Sequence, residues 1–243
     1  NDIFGLYDNY PNLHIITNMF DPVRYNNLRN DIGDTKYGFS FDVLFFLIGN
    51  KKKRFKFPNE IKKLLRYISG SNKEIDYKQG DKSMFGRIQN MCLKNNSRMP
   101  FTQLWFLPPN GINDTSNCLK ELMIEDSILK IYDVMIINSN MDEKVSNIKA
   151  EIHKRELIAK ETGKDGLILL VGNMLSLGIT LKSCDVVFLM NNTLSADKVM
   201  QQMYRCMSES MDGKKKFGFV VDLNISRVLH SCISYNIYKA FLK

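Results

Sequence analysis

Arg205 lies four residues after Gln201 and three after Gln202, spacings that on a helix put both amides beside one guanidinium. Val199, Met200, Met203, Tyr204 and Met207 fall on the other side of that helix and make its apolar face. A guanidinium presented in this way supports two readings. Aimed at a transferring phosphoryl group, it stabilises charge in the transition state and supplies ~10³ to 10⁵ in rate. Paired instead with Glu209, four residues on, it is a solvated helix arginine worth ~0.3 to 0.5 kcal/mol.

A second candidate follows the apolar run 167–171. Gly172, Asn173 and Met174 open a turn whose backbone N–H groups favour an anion such as a nucleic-acid phosphate. Gly178 permits a close backbone approach, and the Thr180 hydroxyl can reach a ribose or a phosphate. An ordinary strand-to-helix turn fits the same residues, and Pro108, Pro109, Asn110 and Gly111 are likewise a plain turn by default. No GxxxxGK[ST] pattern occurs, and Gly163-Lys164-Asp165-Gly166 lacks both the loop length and the hydroxyl. The chain alone therefore makes no P-loop cradle for phosphate and magnesium. His14, His153 and His230 are scattered, and the five cysteines contain no CxxC pair, so neither a metal site nor a disulfide framework is suggested.

These groups need a scaffold. From Pro100 onward, strands expected at 101–107, 132–137, 167–171, 185–190 and 217–221 alternate with helices, the signature of a parallel sheet with crossover connections. Thr115 is the expected cap of the first of these helices, Gly163 the stop of a charged helix at 148–160, and Ser195 the cap of a helix running to about Ser208. A closing helix is expected from 225 to 242. The segment 99–243 is thus expected to be a three-layer α/β domain of ordinary size. Residues 1–98 read as a mixed accessory segment or the end of a preceding domain. Within it, 13–17 is a short strand candidate and 39–48 fits a buried strand or a buried helix equally. A helix starts at Pro58, buries Ile61, Leu64, Leu65 and Ile68, and stops at Gly70. Lys51 to Lys56 and Lys214 to Lys216 read as solvated turns, with Phe55 and Phe57 leaving open a stacking contact with nucleic acid.

With 243 residues, 44% of them hydrophobic, the chain can bury a sizeable core. Its net charge of +8 favours a polyanionic partner. It has no apolar run of ~18 residues or more and no basic-then-apolar leader, so neither membrane insertion nor secretion is expected. The chain begins at Asn1 and is expected to be a fragment or processed product from a reducing, cytoplasmic setting.

Taken together, the segments resemble a family. Phe101-Thr102-Gln103-Leu104-Trp105-Phe106-Leu107 with its following turn is similar to motif IV of superfamily 2 helicases and translocases. Gly172 to Asp185 is similar to motif V, and Gln201-x-x-x-Arg205 to motif VI, in the order found in their C-terminal RecA-like domain. The wording of the last two motifs is most similar to helicases of large cytoplasmic DNA viruses, poxviruses and asfarviruses among them. The resemblance covers roughly residues 100–227 and is specific as a combination.

It implies a RecA-like three-layer α-β-α fold with a mainly parallel sheet. It implies ATP and Mg2+, bound mainly by an N-terminal RecA-like domain of the same protein that carries the P-loop, so this chain alone is expected to be inactive. Arg205 and Gln201 would be the catalytic residues, with Arg205 as the finger, and Gly178, Thr180 and Gln202 would touch nucleotide. Pro109, Asn110, Gly111, Gly172, Asn173 and Met174 would touch DNA or RNA. A viral transcription or replication complex, in a viral factory or virion, is the implied setting. Ser208 stands where many relatives carry a second arginine, Thr180 where aspartate is common, Leu177 where arginine is common and Gly172 where threonine is common. Those departures leave a non-catalytic RecA-like binding module as the alternative. An unrelated α/β enzyme using the Gly172 turn fits less well, because Asn191 and Asn192 stand where an acidic ribose-binding residue is expected ~20 residues on.

Overall fold

The four inner strands of the sheet are buried along almost their whole length, so the sheet must be covered on both faces. The computed structural model describes residues 10–17, 40–71, 83–137, 145–172, 181–209, 213–231 and 233. Its strands are β1 (Asn12–Ile16), β4 (Thr102–Phe106), β5 (Asp133–Ile137), β6 (Leu167–Val171), β7 (Cys184–Leu189) and β8 (Phe217–Asp222) in one sheet, ordered β1-β8-β7-β4-β6-β5. All of its pairings are parallel. The short strands β2 (Leu47–Ile48) and β3 (Arg54–Phe55) form a separate antiparallel hairpin.

Period-2 alternation divides the inner strands between two apolar cores. Trp105, Ile168, Leu170, Val186, Phe188, Phe219 and Val221 face one. Leu104, Phe106, Leu167, Leu169, Val171, Val187, Leu189 and Val220 face the other. The first core is closed by α1 (Phe41–Leu44), α2 (Pro58–Ser69), α3 (Met84–Lys94) and α4 (Ile112–Glu125). The second is closed by α5 (Val145–Glu161), α6 (Ala196–Met203) and the 3-10 turn Tyr204–Cys206. Helix layers on both faces of a parallel sheet make this a RecA-like α/β fold.

The helix boundaries follow local chemistry. Pro58 starts α2, whose Ile61, Leu65 and Ile68 are buried, and Gly70 ends it at φ 85°. The Ser83 hydroxyl caps α3 by accepting from Gly86 N at 3.0 Å. Helix α4 begins three residues before the expected cap, because Gly111 turns the chain at φ 66° and Ile112 is already helical; Thr115 is buried inside the first turn. Ser195 occupies the N-cap of α6 without a capping bond from its hydroxyl. The segment 39–48, ambiguous from its apolar run, holds both a helix turn and a strand. Ahead of Pro100, β1 pairs along β8, and Phe41, Phe45, Ile61 and Leu65 share a core with Trp105 and Phe188.

Two buried charged clusters pin the ends of the sheet. At the start of β4, the Asp185 carboxylate accepts from Phe101 N at 2.8 Å and Thr102 N at 3.3 Å and is paired with Arg98. At the C-terminal ends of β7 and β8, Arg227 makes two bonds to Asp222, at 2.7 and 2.8 Å. Its remaining N–H groups donate to Leu189 O, Asn191 O and Thr193 O at 2.8 to 3.1 Å. Removing one partner of such a pair strands a buried charge. Arg227→Ala is therefore expected to lose ~3 to 5 kcal/mol, read as a fall in the urea midpoint; an unchanged midpoint would refute the buried pair.

Candidate functional site

Two separate places collect the residues singled out above. The first is on α6 and the turn after it. Asp197, Met200, Gln201, Tyr204, Arg205 and Ser208 line an open groove of about 580 Å³. The α-helix stops at Met203, so Arg205 sits in the 3-10 turn rather than on a continuous helix. Gln201 and Arg205 still share the groove, but Gln202 does not: it is 1% exposed, and its Oε1 accepts from Asn191 Nδ2 at 3.3 Å. The expected pair of amides flanking the guanidinium is thus a single amide, Gln201. Tyr204, expected on the apolar face, is 47% exposed and faces the groove.

Partial burial lowers the Arg205 pKa from its ordinary value, with the Cys184 thiol acting the other way; a guanidinium remains cationic at neutral pH regardless. Beneath the groove lie Cys184 and Cys206, both fully buried. Burial holds the Cys184 thiol well above its usual range and pushes Cys206 up to about 12, so both are packing groups and not nucleophiles. Lys215 is the group that sequence reasoning missed. Its lysine run reads as a solvated turn, yet the side chain is buried and donates to Cys184 O at 2.7 Å and to Ser208 O at 3.0 Å, with Asp185 Oδ1 at 4.0 Å. It ties the segment just after Arg205 to the first residue of β7. A lysine among lysines carries no signal of that role; its distance from the carbonyls in sequence hides it.

The second place is the rim formed by the C-terminal ends of β4, β6 and β7. Leu107 N donates to Val171 O, and Met190 N to Phe106 O, each at 2.8 Å. The exposed turn residues Pro109, Asn110 and Gly111 follow directly. Gly172 is buried beside them: a Cβ there would meet Ile112 Cγ1 at 3.3 Å, so the glycine fits the first residue of α4 against the end of β6. The structure therefore joins four of the expected nucleic-acid residues at one rim. Asn173, Met174, Gly178 and Thr180 lie outside the described residues.

The groove and the rim are at opposite ends of the sheet. The Cys206 carbonyl lies so close to Gly218, near the start of β8, that a Cβ there would come within 2.5 Å of it. The Arg205 turn is thus level with the strand N-termini, roughly 17 Å of strand rise from the rim. Among the described residues no three His, Cys, Asp or Glu side chains converge as metal ligands.

No family model matches the chain, and no curated protein matches it. Among solved structures it is similar to the ATP-dependent Type ISP restriction-modification enzyme LlaBIII bound to DNA, at 14% identity and a TM-score of 0.46, over 89% of this chain and 12% of that one. It is similar to the Mycobacterium smegmatis helicase Lhr bound to ssDNA and AMP-PNP, at 12% identity and a TM-score of 0.36, over 65% of this chain and 19% of that one. It is also similar to the C-terminal part of the Fun30 ATPase domain, at 12% identity and a TM-score of 0.36, over 71% and 53% respectively. The chain spans less than a fifth of the first two proteins. At these scores the likeness carries no functional argument.

The two glutamines are expected to separate cleanly in a stability measurement. Gln202→Ala leaves the buried Asn191 amide short of an acceptor and loses ~1 to 3 kcal/mol, whereas the exposed Gln201→Ala stays within ~0.5 kcal/mol of wild type. Equal urea midpoints for the two variants would contradict the buried position of Gln202.

Proposed function

We propose that this chain is the C-terminal motor domain of an ATP-dependent nucleic-acid helicase or translocase of superfamily 2. The observation that carries the proposal is the shared groove of Gln201 and Arg205, an amide and a guanidinium four residues apart beside open space. The three motifs in their order along the sequence support it, as does the collection of the motif IV turn and Gly172 at a different end of the same domain. Arg205 completes an ATP site from outside, and Gln201 orients it. An N-terminal RecA-like domain of the same protein supplies the P-loop and holds most of the nucleotide with its Mg2+, whose role is to neutralise charge on the phosphates. Gln202, assigned to nucleotide by resemblance, acts here through packing: it fixes α6 to Asn191 and so holds the groove's floor.

The cycle proposed is domain closure. Bound ATP draws the Arg205 turn toward the γ-phosphate, hydrolysis releases it, and the rim at Pro109, Asn110, Gly111 and Gly172 shifts its hold on phosphates of DNA or RNA. Association with a cytoplasmic viral transcription or replication complex belongs to the same proposal, resting on the wording of motifs V and VI. Ser208 in the groove, where a second arginine is common, favours one other reading: a RecA-like binding module that retains the fold without turnover.

The deciding experiment is nucleic-acid-stimulated ATPase of the uninterrupted parent protein beside Arg205→Ala. The variant is expected to lose ~10³-fold or more in turnover while keeping its thermal midpoint within a few degrees of wild type. An unchanged rate removes Arg205 from the site. Absence of turnover in both proteins, with nucleic-acid binding retained, favours the binding module.

A further inference from the structure

The hairpin of β2 and β3 stands apart from both places just described. Lys51, Lys52, Lys53, Arg54 and Lys56 are all exposed on it, and no ion pair among the described residues engages them. Between Asp42 and Glu60 the chain contains no acidic residue. Beside these cations is a large ring with no core to fill. Phe46 is 54% exposed, its carbonyl accepts from Lys56 N at 2.9 Å, and the Lys56 ammonium lies 6.0 Å from its ring centre and 5.3 Å from that of Phe57. Phe55, the other aromatic of the run, is 4% exposed and belongs to the core, so the stacking surface is Phe46 with the half-buried Phe57.

The arm is firmly rooted. Phe41, Phe45 and Phe55 are buried in sequence of contact, with ring centres 6.1 and 5.8 Å apart. Gly49 adopts φ 101°, and a Cβ there would meet Lys52 O at 2.4 Å; only glycine closes the loop tightly enough to carry three lysines at its tip. The root is also held at the rim. Asn192, three residues beyond β7, accepts from Phe41 N at 3.0 Å and donates to Ser40 Oγ at 2.9 Å and Asp42 Oδ2 at 2.5 Å. On the other side, Lys53 O accepts from Cys118 Sγ at 3.3 Å, and Cys118 is six residues into α4, roughly 9 Å of helix rise from the Gly111 turn.

We propose that this hairpin is a second nucleic-acid contact, an arm whose lysines hold the phosphates of a single strand and whose Phe46 stacks on a base. Exposed rings beside unpaired cations are the combination that single strands require, since every base has a π-face and every linkage a charge. The inference rests on the nucleic-acid reading above and extends it from the rim to a segment outside the three motifs.

The test uses the 243-residue chain with labelled 20-nucleotide dT and U strands, titrated at several salt concentrations. Lys51→Gln/Lys52→Gln/Lys53→Gln is compared with Lys149→Gln/Lys154→Gln/Lys160→Gln, which removes the same charge from exposed positions on α5 across the sheet. Three lost phosphate contacts are expected to lower the salt slope by about 2 on a single strand and weaken binding about tenfold or more near 0.1 M salt. The α5 variant is expected to shift the slope by less than about 0.5. Phe46→Ala, with every lysine retained, is expected to weaken binding about fivefold or more and to abolish quenching of a 2-aminopurine base in the strand. Circular dichroism checks that each variant is folded.

Equal losses in the two triple variants would reduce the arm to generic charge and overturn the proposal. Unchanged binding in the hairpin variants, with the wild type binding well, would overturn it and leave the nucleic-acid reading standing. A wild type that binds neither strand at low salt would remove both. Binding to phosphatidylserine vesicles in place of either strand, lost with the three hairpin lysines, would assign the arm to a membrane surface instead.

Discussion

A single buried guanidinium holds the working parts of this domain in register. Arg227 satisfies the carbonyls of Leu189, Asn191 and Thr193 where β7 ends, and it returns two bonds to Asp222 where β8 ends. The Leu189 and Asn191 carbonyls are buried where β7 ends, so they need a donor from the protein. Five N–H groups in a planar fork meet that need from one side chain. A buried ion pair by itself is weak evidence of stability. Here its effect is geometric, because the same short segment leads into α6 on one face of the sheet and holds the start of α1 on the other.

Adjacent asparagines divide that labour. Asn191 donates to Gln202 and so sets the lie of α6 over the second core. Asn192 turns to the opposite face and grips the start of α1, from which the basic hairpin rises. The groove containing Arg205 and the arm containing Lys51 to Lys53 are thus anchored from one loop although they stand on opposite helix layers. Lys215 and Asp185 do the corresponding work at the other end of the sheet, where they bind the turn after Arg205 and the first residues of β4.

What could be read in advance follows from how information is distributed along the chain. Burial on both faces writes a strand as an apolar run, and β6 falls on residues 167–171 as expected. The alternation of such runs with helical patterns was enough for the parallel α/β fold. Helix ends were less legible: Gly111 can terminate or begin an element, and only the backbone conformation decides. Polar residues were misplaced for a different reason. Helical periodicity puts Gln202 outside and Lys215 sits in a lysine run that reads as a solvated turn, and their partners, Asn191 and the Cys184 and Ser208 carbonyls, have no pattern that ties them to these side chains. The pairing of β1 with β8 is likewise a contact between the two ends of the chain that no local window contains. Gly178 and Thr180, the expected nucleotide contacts of the motif V turn, lie beyond what the structure describes.

Separation of the groove from the rim has a mechanical meaning under the proposed function. Both are built on the same buried parallel strands, and a close-packed sheet is a poor spring. An element that repacks locally at Arg205 has no soft path through β7 to the rim roughly 17 Å away, because both ends of that strand are tied by buried polar networks. On the proposed function, nucleotide-dependent motion carries the domain as one body, with the groove and the rim displaced together about a hinge outside the sheet. The hairpin, rooted by Asn192 and three buried phenylalanines, moves with that body. Under the two proposals, an arm fixed in this way lengthens the surface offered to nucleic acid without adding a second moving part.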